Sequence, residues 1–270
     1  MILHGFAVFI LMGLLSTIQY GHFPNTVRSQ TNVRGVSYPM NSLHGMETDG
    51  QEKEFLKACI AISQLAYCKG NHQLCDVDIN RFREVTLVKS SGVTAVVAYD
   101  MDRGSIAVGF RGTSNMRNWF NNLKITPMTP HGLDTSKKVH HGFMMNYNSI
   151  YKNMHETISS MMVKFDSKLL YISGHSMGGM LALLYVDGFI RDSPTGTHDV
   201  LIEGVVTIGS PLILNGPYAT HLQSYRFPMW HLIHSSDVVP FLTPWGLLSK
   251  QTIYSEATPP GTTHFDKFPY

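Results

Sequence analysis

Residues 168–190 read KLLYISGHSMGGMLALLYVDGFI. Lys168–Ser173 is an apolar run of strand length. Gly174 to Gly179 is a glycine-rich turn, and Met180 to Ile190 resumes as an apolar helix. A strand that passes through a turn straight into a helix is the first half of a β-α-β unit. The strand that follows such a helix lies parallel to the first.

The flanking sequence continues the alternation. Upstream, Phe143, Tyr147, Ile150, Tyr151, Met154, Ile158, Met161, Met162 and Phe165 keep helical spacing, which predicts a long helix with one apolar stripe. Downstream, Val200–Ile208 reads as a buried strand, Pro217–Tyr225 as a short helix, and Met229–Ile233 and Lys250–Tyr254 as further strands. Toward the N-terminus, Glu52–Tyr67 places Phe55, Cys59, Ile62 and Ala66 in one row and Leu56 and Ile60 in a second, again a helix. Glu84–Val88, Val93–Tyr99 and Ser105–Phe110 read as strands. Asp100-Met101-Asp102-Arg103-Gly104 is the hairpin turn between the last two. The expected fold is therefore α/β. A mostly parallel central sheet is flanked by helices on both faces, with an antiparallel edge from the first strands.

Composition narrows the function. The chain has 270 residues, 43% hydrophobic and 15% charged, with a net charge of +2. That length buries a full core without metal or disulfide staples. Disorder is excluded, since it needs low hydrophobicity and high net charge. Lys and Arg are scattered, so no nucleic-acid partner is expected. The histidines show no metal-ligand spacing, and the turn at Gly174–Gly179 lacks the lysine of a phosphate loop. No metal and no cofactor are expected.

Residues 1–20, MILHGFAVFILMGLLSTIQY, carry no charged side chain. Phe6 to Leu15 matches the apolar region of a secretory signal peptide and is short for a spanning helix, which needs roughly 20 residues. The expectation is a signal segment over 1–21, one domain over 22–270, and a secreted protein. The alternative is an uncleaved membrane anchor. Of the three cysteines, Cys68 and Cys75 could close a small loop and Cys59 reads as a buried free thiol. Three reduced cysteines is the rival reading.

Gly174-His175-Ser176-Met177-Gly178 matches G-x-S-x-G. Alone the pattern is weak. Between a strand and a helix it is the nucleophile turn of an α/β-hydrolase, where a strained corner lifts the serine hydroxyl clear of the sheet. Side chains at 174 and 178 would collide with the neighbouring strand and helix. Serine needs a base to take its proton. In this fold the order along the chain is Ser, acid, His. The acid follows the strand after next, which selects Asp237. Asp187, Asp192 and Asp199 precede the next strand and read as solvated surface charges. Only His264 follows Asp237, so it is the base by elimination. His234 and His231 are the rivals under a different topology. Met177 is the residue whose N–H follows the nucleophile, and Thr113, in the loop leaving Ser105–Phe110, is the candidate second oxyanion donor. Beyond it, Met116, Trp119, Phe120 and Leu123 form one apolar helical face with asparagines opposite. That face is either core packing or a lid that covers the serine and opens onto lipid.

Several blocks together resemble the class 3 lipase family, the fungal-type triacylglycerol lipases. They are Ile106 to Trp119, Val139-His140-His141-Gly142-Phe143, the Gly174–Gly179 turn, Thr207-Ile208-Gly209-Ser210-Pro211 and His234 to Pro240. The resemblance covers about residues 50–270. It implies an α/β-hydrolase fold, the Ser176, Asp237 and His264 triad, Thr113 and Met177 as oxyanion donors, and a lid over 116–123. It further implies a lipid or other ester substrate met at a lipid–water interface. One departure is plain: the stretch from Asp237 to His264 is shorter than the family's usual one and lacks its cysteine pair.

Overall fold

The computed structural model describes residues 49–68, 77–113, 126–192, 200–211, 214–225, 227–232, 239 and 252–254. The signal segment, the lid residues Met116, Trp119, Phe120 and Leu123, and Asp237, His234 and His264 lie outside the described residues.

In chain order the elements are α1 (Asp49–Tyr67), β1 (Phe82–Ser90), β2 (Val93–Asp100), β3 (Ser105–Phe110), β4 (Pro127–Met128), β5 (Val139–His140), α2 (His141–Phe165), β6 (Leu169–His175), α3 (Met177–Asp192), β7 (Leu201–Ile208), α4 (Gly216–Gln223), β8 (Met229–Leu232) and β9 (Thr252–Tyr254). Seven strands make one sheet in the order β1-β2-β3-β6-β7-β8-β9. The β1–β2 and β2–β3 pairs are antiparallel, and every pair from β3 to β9 is parallel. This is the expected mostly parallel sheet with its antiparallel edge. The two-residue β4–β5 ladder is too short to leave a period in the sequence.

Side chains alternate across the sheet, and each face has its own core. Val96, Ala98, Ala107, Tyr171, Val206 and Ile208 pack under α1. Ala95, Val97, Ile106, Val108, Leu170, Ile172 and Val205 pack under α2 and α3. On α1, Phe55 sets its ring edge-on to Tyr171 at 5.6 Å and tilted to Trp230 at 5.2 Å. The predicted stripe of α2 is buried at Phe143, Tyr147, Ile150, Met154, Ile158 and Met161. Each such side chain contributes about 1.5–3 kcal/mol by leaving water. The helix begins where His140 caps it by accepting the Gly142 N–H. It stops at Asp166, whose φ of 48° is left-handed.

Two expectations change. Helix α3 starts at Met177, so Gly178 and Gly179 lie inside it. Glycine there answers a demand for close packing, which outweighs its poor helix propensity. Asp187, expected at the solvated surface, is fully buried. It accepts from Tyr225 Oη at 2.7 Å, Tyr218 Oη at 2.8 Å and Arg191 Nε at 3.1 Å, and it pairs with His221 Nε2 at 2.8 Å. These bonds lock α4 and the turn after it onto α3. Cys59 is a buried free thiol, and Cys68 is disulfide-bonded, so the all-reduced reading fails.

Candidate active site

The five parallel strands end at one edge of the sheet, where α/β folds place their sites. Strand β6 ends at His175, paired with Ile208 of β7, and Ser176 is the next residue. Its φ of 56° lies in the left-handed region, rare for a residue with a side chain. Such a conformation costs roughly 1–2 kcal/mol. The surroundings hold it there. The Ser176 N–H donates to the Ile208 carbonyl at 2.7 Å, and the Gly179 N–H donates to the Ser176 carbonyl at 3.0 Å. A Cβ at Gly174 would overlap the Gly178 backbone, and one at Gly178 would overlap the Phe110 carbonyl. The two glycines expected from the motif are thus required by close backbone approach.

Helix α3 starts at Met177 and points its N-terminus at the serine. The first N–H groups of a helix have no intrahelical carbonyl partner, and that end attracts negative charge. The Met177 side chain lies under α2, with its sulfur 3.5 Å from Asn146 Nδ2.

The loop after β3 packs on this corner. Phe110 pairs with Gly174 across the parallel β3–β6 ladder, so the loop leaves the sheet beside the serine turn. A Cβ at Gly112 would lie 2.9 Å from Ser176 Cβ and 2.8 Å from the His175 carbonyl. Two loop amides are committed elsewhere. The Arg111 N–H donates to the Thr94 carbonyl at 2.9 Å, and the Gly112 N–H donates to Tyr67 Oη at 3.1 Å. Thr113 is the next residue along the loop and is half-buried.

Tyr67 and His175 were not among the residues singled out from sequence. Tyr67 ends α1, and its Oη lies 2.6 Å from His175 Nδ1. Burial pushes the Tyr67 phenol up and holds His175 down at about 4 from 6.5. Both groups are neutral at physiological pH. Tyr67 sits in an apolar helical row and His175 occupies the variable position of the motif, so neither left a signal of its own.

Of the predicted set, Ser176 and Met177 are consecutive at the β6–α3 corner, and Thr113 follows Gly112, the loop residue that packs on Ser176. Strand β8 follows β7 in the sheet, as the placement of the acid required, and ends at Leu232. Strand β9 follows and ends at Tyr254. The rival His231 is buried within β8, its Nδ1 bonded to Thr207 Oγ1. Among the described residues no cluster of His, Cys, Asp or Glu could hold a metal ion.

The family model for lipase (class 3) matches residues 107–247. The "Lipase" of Rhizomucor miehei is 25% identical over 243 residues, covering 83% of this chain and 66% of that protein. The "Secreted mono- and diacylglycerol lipase 1" of Fusarium solani is 29% identical over 159 residues, covering 57% of this chain and 44% of that protein. The chain therefore spans less than two thirds of either relative. Among solved structures, the lipase from Rhizopus microsporus var. chinensis aligns with a TM-score of 0.63 at 22% identity, over 80% of each chain. A triacylglycerol lipase with a serine-protease triad aligns with a TM-score of 0.62 at 24% identity, over 77% of this chain and 81% of that one. These two likenesses establish the fold, a mostly parallel sheet of the α/β-hydrolase kind. The matched span takes in the loop after β3, the long helix, the serine turn and the next two strands, and on that basis the chain belongs to the class 3 lipase family.

Proposed function

We propose that the protein is a secreted serine hydrolase that cleaves carboxylic esters, most specifically acylglycerols. The observation that carries this reading is Ser176 itself: a residue with a side chain at φ 56°, at the corner between β6 and the N-terminus of α3. A fold accepts that strain where it needs an aimed hydroxyl.

In this reading His264 takes the Ser176 proton as the hydroxyl attacks the ester carbonyl. Asp237 fixes the imidazole tautomer and offsets its positive charge. The developing oxyanion is met by the N–H of Met177 at the start of α3 and by Thr113. The amides of Arg111 and Gly112 are excluded as donors by their own bonds. The proton passes from His264 to the leaving alcohol, and water then cleaves the acyl-enzyme by the same steps in reverse. Asp237 and His264 follow β8 and β9, whose C-terminal ends share the sheet edge with Ser176.

The face formed by Met116, Trp119, Phe120 and Leu123 is read as the lid, directly after the oxyanion loop in sequence. Opening would lay it on a lipid–water interface. A solved fungal lipase–inhibitor complex with a TM-score of 0.60 is described in terms of interfacial activation. Secretion is supported by the uncharged N-terminal segment and by the disulfide at Cys68, since such bonds persist in oxidising compartments.

Covalent labelling by a serine-directed phosphonate tests the nucleophile. Wild type is expected to label and Ser176→Ala not to. An unlabelled wild type overturns the reading. Substrate class is tested by following rate as a short-chain triglyceride passes its solubility limit. A lipase with a working lid rises at that point. Equal activity on dissolved and emulsified ester reassigns the protein as a soluble-ester hydrolase.

A further inference from the structure

The serine corner and the oxyanion loop come from different strands, and one hydroxyl outside both joins them. Tyr67, at the end of α1, takes the Gly112 N–H at 3.1 Å and reaches His175 Nδ1 at 2.6 Å. Gly112 is the residue before Thr113, and His175 is the residue before Ser176. We propose that Tyr67 is a positioning residue that holds the oxyanion loop in register with the nucleophile turn, so that the hole is formed before substrate arrives. The proposal rests on the ester-hydrolase reading of Ser176 and adds to it the group that sets the distance between its two halves.

Proton counting assigns one bond and favours a direction for the other. The Gly112 amide can only donate, so Tyr67 Oη is the acceptor there. Within the clamp we assign the phenol proton to His175 Nδ1, which puts the imidazole in its Nε2–H tautomer; in the other tautomer Tyr67 Oη would accept twice and its own proton would have to be placed elsewhere. Burial keeps both rings neutral, which preserves this arrangement across the physiological range.

The surroundings leave the hydroxyl little room to move. The Tyr67 ring meets His175 edge-on at 5.6 Å and lies 5.5 Å from the Arg111 guanidinium. A Cβ at Gly112 would come within 2.5 Å of the hydroxyl. The residue after Tyr67, Cys68, is disulfide-bonded. The clamp is thus tied to the end of helix α1. Without the hydroxyl, the Gly112 N–H is a buried donor with no acceptor. The loop must then shift to find one, taking Thr113 with it. A displacement of about 1 Å at a catalytic group can cost about 10²-fold in rate.

The test is Tyr67→Phe, which keeps the ring and removes one oxygen. On a short-chain ester we expect kcat to fall about 10- to 100-fold with KM changed by less than about threefold, since the loss falls on the transition state. A second readout separates positioning from general damage. The rate ratio between an oxoester and the matching thionoester reports how well the hole holds oxygen, and it should fall toward unity in Tyr67→Phe. His175→Leu, which removes the acceptor, should lower kcat to a similar degree. The double variant should be little worse than either, because the two act as one unit. His175→Asn, whose Oδ1 can accept the same proton, should recover much of the loss. A Tyr67→Phe enzyme with kcat within about twofold of wild type overturns the proposal while leaving the ester-hydrolase reading intact. So does a slow variant whose oxo-to-thiono ratio is unchanged. A wild type that neither labels with the phosphonate nor turns over any ester overturns both.

Discussion

The buried imidazole of His175 makes stability depend on pH in a calculable way. Burial lowers its pKa to about 4, and in the unfolded chain it titrates at its ordinary 6.5. Between those values the unfolded state binds more protons than the folded state, so stability falls as the pH falls. A full pH unit or more above 6.5 the group has almost no effect. By pH 5 linkage gives a loss of about 2 kcal/mol, and below pH 4 the loss levels off near 3 kcal/mol. His175→Asn removes this titration while keeping an acceptor toward Tyr67. The other histidines and the carboxylates are common to both proteins and cancel in the difference. Urea denaturation of wild type and variant at pH 7.5 and pH 5 measures it. The stability gap should move by about 2 kcal/mol in favour of Asn on going to pH 5. For a domain of this size that is ~4–8 °C in melting temperature. A gap that stays constant between the two pH values would refute a buried neutral imidazole at this position.

Three further perturbations test the geometry of the corner and the packing behind it. Gly112→Ala sets a methyl 2.5 Å from Tyr67 Oη and 2.9 Å from Ser176 Cβ, so kcat should drop by about 10²-fold or more in a folded protein, read by ester turnover and phosphonate labelling rate. At Ser176 the usual stability order reverses: with φ at 56°, Ser176→Gly should exceed Ser176→Ala by about 1 kcal/mol in denaturant, where a helix interior shows the opposite. Asp187→Asn weakens a buried carboxylate with four partners and should cost about 3 kcal/mol or more in thermal unfolding. Turnover per folded molecule should stay within about twofold of wild type.

The fold was legible because its period is strong. The α2 stripe runs the length of a long helix, and the strands bury one or both faces in unbroken apolar runs. The serine turn was legible because its glycines are demanded by backbone contacts that no other residue can meet. Other features were hidden for physical reasons. Asp187 looked solvated because a lone acidic residue in a helix usually is. Its burial depends on Tyr218, His221 and Tyr225, which lie one strand and one helix away in the chain. The start of α3 is hidden in the sequence because glycine disfavours helix, while here packing against Phe110 and Ser210 selects it. Tyr67 and Ser63 were hidden in the same way. Ser63 is an apparent core position on α1 whose hydroxyl donates to Ser173 Oγ at 2.9 Å. Periodicity shows which side of a helix is inward. It does not show which inward residue carries a hydrogen bond.

The same contacts explain why so many small residues crowd one end of the sheet. Phe110 and Gly174 are register partners in the β3–β6 ladder, and the two halves of the proposed oxyanion site, Thr113 and Met177, each lie three residues further along the chain. A slip of one residue would move one half by ~3.3 Å relative to the other, about the length of a hydrogen bond. Backbone pairing alone specifies register weakly unless side chains or close approaches reject the alternatives. Here Gly178 seats on the Phe110 carbonyl and Gly112 on Ser176, and any slip would bring a side chain into one of those contacts. Glycine weakens helix and strand alike, so these positions lower local stability. The loss is offset by the deep burial of α1 and α3 on opposite faces of the same strands. The edge that carries Ser176 therefore depends for its geometry on the two cores packed against the sheet.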